Sequence, residues 1–111
     1  MKPPFSRSST RSPPEGGMAR RRVHALVHGR VQGVAFREYT RRQAVKLCLS
    51  GWVRNRPDGT VETVFEGPAA EVDELLAWLA NGSPYARVGR VEHREEEPTG
   101  ESGGFFIEFF P

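Results

Sequence analysis

The stretch Gly29-Arg30-Val31-Gln32-Gly33-Val34-Ala35-Phe36-Arg37 gathers residue types that suit the binding of a small anion. Glycines let a backbone curl so that successive N–H groups converge, and a helix start adds unpaired N–H groups at the positive end of the helix dipole. Arg37, expected at the first helical position, brings a planar fork of donors and a fixed charge to the same place. Such a loop could cradle a phosphate. Taken alone it is equally compatible with a tight turn followed by a solvated arginine, because a pair of glycines before a helix is a weak signal. A second stretch, Gly51-Trp52-Val53-Arg54-Asn55, is followed by Gly59-Thr60-Val61 and then by Gly67.

The elements that must hold these stretches follow from periodicity. From Val23 to His28, Val23, Ala25 and Val27 alternate with His24, Leu26 and His28, which is the pattern of a half-buried strand ending at Gly29. Residues 37–49 lack glycine and proline, and Ala44, Val45, Cys48 and Leu49 recur at helical steps, so an amphipathic helix is expected there, stopped by Ser50-Gly51. Residues 51–56 and 60–66 read as the arms of a hairpin closed by Arg56-Pro57-Asp58-Gly59. In its second arm Val61, Thr63 and Phe65 share a face, and Glu62 and Glu66 lie on the other. Gly67-Pro68 opens a second helix, with acids in its first turns, a stripe of Val72, Leu75, Leu76 and Leu79, and a stop at Asn81-Gly82. Strands over about 87–95 and 105–110 complete the chain, joined by the polar stretch Glu96 to Gly104. The order β-α-β-β-α-β plus a terminal strand specifies an α+β, ferredoxin-like split β-α-β sandwich, two helices on one face of a mostly antiparallel sheet. That architecture hosts many activities.

Composition bounds the possibilities. A chain of 111 residues suits one domain, and no apolar run approaches the roughly 18 residues of a membrane span. A lone cysteine, Cys48, cannot form an internal disulfide, and no apolar segment follows the proline-interrupted basic N-terminus, so a cytoplasmic protein is expected. Residues 1–20, rich in Pro, Ser, Gly and Arg, are expected to be a disordered extension, with Met18 an alternative start, and residues 21–111 form the domain. The pI of 9.1 comes largely from that end: residues 1–22 hold six bases against one acid, and residues 23–111 hold ten bases against thirteen acids. Within the domain, Arg30, Arg37, Arg41, Arg42, Lys46, Arg54 and Arg56 face only Glu38 between positions 30 and 56, a local field suited to a small anionic ligand.

Both glycine-rich stretches resemble the two acylphosphatase signatures, glycine-x-Val-Gln-Gly-Val-x-Phe-Arg and glycine-aromatic-small-x-Asn-x-x-x-Gly-x-Val with its later glycine, at every fixed position. The resemblance runs from about Val23 to the C-terminus. It implies hydrolysis of acyl phosphates to a carboxylate and inorganic phosphate. By position it assigns the phosphate cradle to the backbone of Val31, Gln32, Gly33 and Val34, phosphate binding and catalysis to Arg37, and placement of the attacking water to Asn55. Phe36 is expected to pack beneath the loop, and Gly29, Gly51, Gly59 and Gly67 to serve turns and close backbone approaches. A carboxylate leaving group has a conjugate acid of pKa near ~4, so no general acid is needed, and positioning with charge stabilisation suffices without metal or cofactor. An amide is not a useful base; the water's proton is expected to pass to a phosphate oxygen, with Asp58 the weaker candidate acceptor. The expected partner is a small-molecule acyl phosphate, and neither nucleic acid nor membrane, for a monomer.

Other residues carry less chemistry. His24 and His28 share a strand face without a third ligand nearby in sequence, Cys48 is expected to be small buried packing, and Trp52 and Trp78 core or partly buried packing. Glu95, Glu96 and Glu97 read as a solvated loop edge. Phe105, Ile107 and Phe109 are expected on the core face of the last strand, leaving Phe106 and Phe110 to cover an edge or a partner. Two alternatives remain. One is a carbamoyl-phosphate-processing domain of the kind found at the front of larger maturation proteins, which the end of this chain at Pro111 disfavours. The other is a ferredoxin-like RNA-binding module, disfavoured by the missing basic-glycine-aromatic signature and the acidic balance of the domain.

Overall fold

A computed structural model describes residues 19–109. The expected N-terminal extension, apart from its last two residues, and the alternative start at Met18 lie outside that range, as does Phe110. In chain order the elements are β1 (Arg20–Arg30), α1 (Phe36–Lys46), β2 (Ser50–Asn55), β3 (Val61–Pro68), α2 (Ala69–Asn81), β4 (Arg87–Glu96) and β5 (Phe105–Ile107). They form one five-stranded sheet in the order β4-β1-β3-β2-β5, antiparallel except where β5 runs parallel to β2. This is the expected split β-α-β arrangement with a strand added at the β2 edge. No helix among the described residues is long and apolar enough to cross a membrane.

One face of the sheet carries the core. Val23, Ala25 and Val27 of β1, Val53 of β2 and Val61, Thr63 and Phe65 of β3 meet Phe36, Thr40 and Ala44 of α1 and Val72, Leu75 and Leu79 of α2, all buried. Period two on the strands and steps of three or four on the helices put each set on one side. The Thr40 hydroxyl is satisfied within its own helix by the Phe36 carbonyl at 2.8 Å. Gly51 is required by space, because a Cβ there would stand 1.9 Å from the Val64 carbonyl oxygen.

Several expectations need correction. Helix α1 stops at Lys46, not near residue 49, because the chain turns through Cys48 in the left-handed region, φ 58°. The Cys48 N–H donates to the Val45 carbonyl at 3.0 Å and the Leu49 N–H to the Ala44 carbonyl at 2.9 Å, the paired bonds of a Schellman stop. Leu49 thereby returns to the core, while Val45 and Cys48 face solvent. Strand β1 begins at Arg20, so Arg20, Arg21 and Arg22 belong to the sheet. Counted over residues 19–109 the domain holds thirteen bases and thirteen acids, and is neutral rather than acidic. Glu95 and Glu96 end β4 and pair with Arg21 and Arg22. Strand β5 ends at Ile107, and Phe109 is exposed instead of joining the core.

Glu66 lies on the face expected for it but is fully buried there. Its carboxylate accepts the Thr99 N–H at 2.9 Å, the Gly100 N–H at 2.7 Å, the Thr99 hydroxyl at 2.9 Å, and the guanidinium groups of Arg20 and Arg22 at 3.2 and 3.0 Å. The polar segment before β5 is thus folded around a buried charge.

Candidate active site

The loop between β1 and α1 is anchored by buried Val31 and Phe36, the latter stacked on Trp78 with ring centroids 5.7 Å apart. Between these anchors Gly33 (φ 75°) and Ala35 (φ 60°) are both left-handed, which curls the backbone over residues 31–35 as an anion nest requires. A Cβ on Gly33 would meet nothing within 4 Å, so glycine is wanted there for its backbone angle. Ala35 adopts the same region at a cost of about 1–2 kcal/mol, strain of the sort that collects at functional sites.

Ala35 is the N-cap of α1 and offers no side-chain cap. The first intrahelical bond runs from the Tyr39 N–H to the Ala35 carbonyl at 3.1 Å, so the N–H groups of Phe36, Arg37 and Glu38 precede the ladder. Arg37 is the second helical residue rather than the first. Its guanidinium carbon stands 5.1 Å from the centroid of the exposed Phe109 ring.

The local positive field is sorted by pairing. Glu38 turns onto Arg41 at 2.7 Å and Arg42 at 3.0 Å, whose hydrogen bonds hold its carboxyl down to about 2. Arg54 meets Glu62 at 2.8 Å, and Arg56 lies 3.6 Å from Asp58. Among the described residues no carboxylate pairs with Arg37. Within this basic half, its charge remains available to a ligand.

Asn55 is the last residue of β2, paired in register with Val61. Its Oδ1 is buried and has no hydrogen-bond partner among the described residues. An unsatisfied buried acceptor costs about 1–3 kcal/mol, and a water donating to it would relieve that cost. Arg56, the next residue, begins the hairpin turn, closed by the Gly59 N–H to the Arg56 carbonyl at 3.1 Å. One side chain ties this turn to the cradle: the Gln32 amide nitrogen donates to the carbonyls of both Arg56 and Thr60, each at 2.8 Å. Loop and hairpin, 24 and 28 residues apart along the chain at these bonds, are thereby joined.

Asp58 has other work. Its carboxylate accepts the Thr60 hydroxyl at 2.6 Å and the Thr60 N–H at 3.0 Å, and these bonds hold its carboxyl below the ordinary range. His24 and His28 each face a carboxylate, Glu62 at 2.6 Å and Glu92 at 3.0 Å. Two contributors were not legible in the sequence, the side chain of Gln32 and the ring of Phe109. The fixed Gln position inside a motif was the available signal for the first. For the second, period two pointed to the core.

The fold is thus a ferredoxin-like α+β domain whose candidate site is suited to a small oxyanion met by a curled backbone and the guanidinium of Arg37. The acylphosphatase family model matches residues 23–107. An acylphosphatase of Rubrobacter xylanophilus is 53% identical over 93 residues, 84% of either chain, and one of Syntrophobacter fumaroxidans is 52% identical over 92 residues, covering 83% of this chain and 95% of its own. Among solved structures, an acylphosphatase from Coxiella burnetii superposes with a TM-score of 0.76 at 37% identity, covering 80% of this chain and 93% of that one. HypF of Thermococcus kodakarensis matches with a TM-score of 0.69 at 32% identity, but the match covers 12% of that chain.

The chain belongs to the acylphosphatase family. It is a hydrolase acting on small-molecule acyl phosphates, and the carbamoyl-processing and RNA-binding alternatives are not favoured.

Proposed function

We propose that this acylphosphatase works without a metal, with the backbone of Val31, Gln32, Gly33 and Val34 and the guanidinium of Arg37 holding the phosphoryl group and Asn55 placing the water. The observation that carries the reading is the buried, unpartnered Oδ1 of Asn55, an acceptor at the strand end next to the turn that Gln32 binds. A water held there keeps a lone pair for phosphorus. As the new O–P bond forms, the bond from phosphorus to the acyl oxygen breaks, and the carboxylate departs with the electron pair. Charge on the equatorial oxygens is stabilised by N–H groups and by Arg37. The water's proton goes to a phosphate oxygen, because the Thr60 hydrogen bonds that occupy the Asp58 carboxylate also hold its pKa below the ordinary range and make it a weak base.

The protein acts as a cytoplasmic monomer, without a nucleic-acid or membrane partner.

Hydrolysis of benzoyl, acetyl and carbamoyl phosphate, each with and without a chelator, tests the reading. Turnover unchanged by the chelator is expected, and chelator-sensitive turnover would refute metal independence. Selective turnover of carbamoyl phosphate would restore that alternative. Asp58→Asn is expected to retain turnover within about threefold; an inactive variant that still binds phosphate would overturn the proton route.

A further inference from the structure

We propose that the Gln32 side chain is a positioning residue that sets where the water on Asn55 stands relative to the phosphate cradle. The inference rests on the proposed roles of the cradle and Asn55, and adds a device that links them.

The backbone of Gln32 is part of the curled loop, while its side chain leaves the loop for the hairpin. Both N–H bonds of one amide nitrogen are spent, at 2.8 Å each, on the carbonyls of Arg56 and Thr60. These residues flank the terminal register pair of the hairpin, Asn55 with Val61. Both acceptors are backbone atoms, so neither can follow a displaced donor by changing rotamer. Two bonds from one planar group fix tilt as well as distance, which a single bond leaves free.

Neither element needs these bonds to form. The turn is closed by its own hydrogen bonds, Gly59 N–H to the Arg56 carbonyl at 3.1 Å and Arg56 N–H to the Thr60 carbonyl at 2.9 Å, with Asp58 bonded to Thr60 besides. The loop is anchored separately by buried Val31 and Phe36. Gln32 adds their mutual placement. Among the described residues its two bonds are the hydrogen bonds that join residues 31–35 to residues 55–60. Attack on phosphorus depends on such placement, since a displacement of about 1 Å in a reacting group can cost on the order of 10²-fold in rate.

The test is a double-mutant cycle between Gln32→Met, which keeps the side-chain length without the donors, and Asn55→Ala. Turnover is read at saturating benzoyl phosphate, and inhibition by inorganic phosphate reports the cradle. Gln32→Met is expected to lower kcat by roughly 10- to 100-fold while the phosphate inhibition constant stays within about threefold. In the Asn55→Ala background the same change is expected to cost almost nothing further, because the water it positions is already lost.

Phosphate inhibition that weakens in step with kcat would overturn the proposal, as would a Gln32 effect that multiplies fully with Asn55→Ala. Failure of both Gln32→Met and Gln32→Ala to fold would overturn it too, by making the bonds a requirement of the fold. Normal turnover in Gln32→Met beside an impaired Asn55→Ala would remove the Gln32 role alone, whereas normal turnover in Asn55→Ala would remove the reading beneath it.

Discussion

Arg37 differs from four of the bases around it, Arg41, Arg42, Arg54 and Arg56, in having no carboxylate partner among the described residues. Glu38 holds Arg41 and Arg42, Glu62 holds Arg54 and Asp58 approaches Arg56. Arg37→Ala is expected to lower turnover by about 10²- to 10³-fold or more, measured with benzoyl phosphate, and near-normal activity would refute its role. Arg37→Lys is expected to fail substantially as well, for want of the planar fork. The exposed ring of Phe109 lies 5.1 Å from the guanidinium carbon. A contact of this kind is worth about 0.5–1 kcal/mol at an exposed position, so Phe109→Ala is expected to weaken phosphate inhibition by roughly 2- to 5-fold. At this scale the sequence was legible wherever chemistry is local: Arg37 stands directly beside its glycine-rich loop. It was not legible for Gln32 or Phe109, whose partners are distant along the chain.

Glu66 shows what an element can conceal. Alternation placed it correctly opposite Val61, Thr63 and Phe65, but not its burial, because the donors that enclose it come from β1 and from the segment before β5. Burial pushes its carboxyl up, yet the N–H groups of Thr99 and Gly100, the Thr99 hydroxyl and Arg22 outweigh that and hold it at about 2. A carboxyl depressed in the folded state adds stability above its ordinary value of 4.5, lost as the pH falls toward about 2. Urea unfolding is expected to show this loss in the native protein. Glu66→Gln is expected to be less stable by about 3 kcal/mol at neutral pH and to show a flatter dependence across that acid range. Equal stability of the two proteins at neutral pH would contradict the assignment. The end of α1 was misread for a related reason. Apolar periodicity continues through Leu49, but the left-handed Cys48 returns that leucine to the core by a sharper path than another helical turn.

At the scale of the molecule, the order of elements was enough to specify the split β-α-β sheet, since helices and hairpin alternate with clear stops at glycine. The parallel addition of β5 beside β2 completes the sheet where Phe105 enters the core. Net charge misled in both directions: the high pI overstates the domain, and the apparent acidity of residues 23–111 omits three arginines that belong to β1. In the proposed reading, what recruits an oxyanion is the arrangement around α1, inside a domain whose described bases and acids balance. The division of labour at that site is tested most directly by the inhibition constant of inorganic phosphate, measured beside turnover in Arg37→Ala and Asn55→Ala. Arg37→Ala is expected to lose both phosphate affinity and turnover. Asn55→Ala is expected to lose turnover by about 10²-fold or more while binding phosphate like the native enzyme. Native phosphate affinity in Arg37→Ala, or its loss in Asn55→Ala, would contradict the assignment of charge to the arginine and of water to the asparagine.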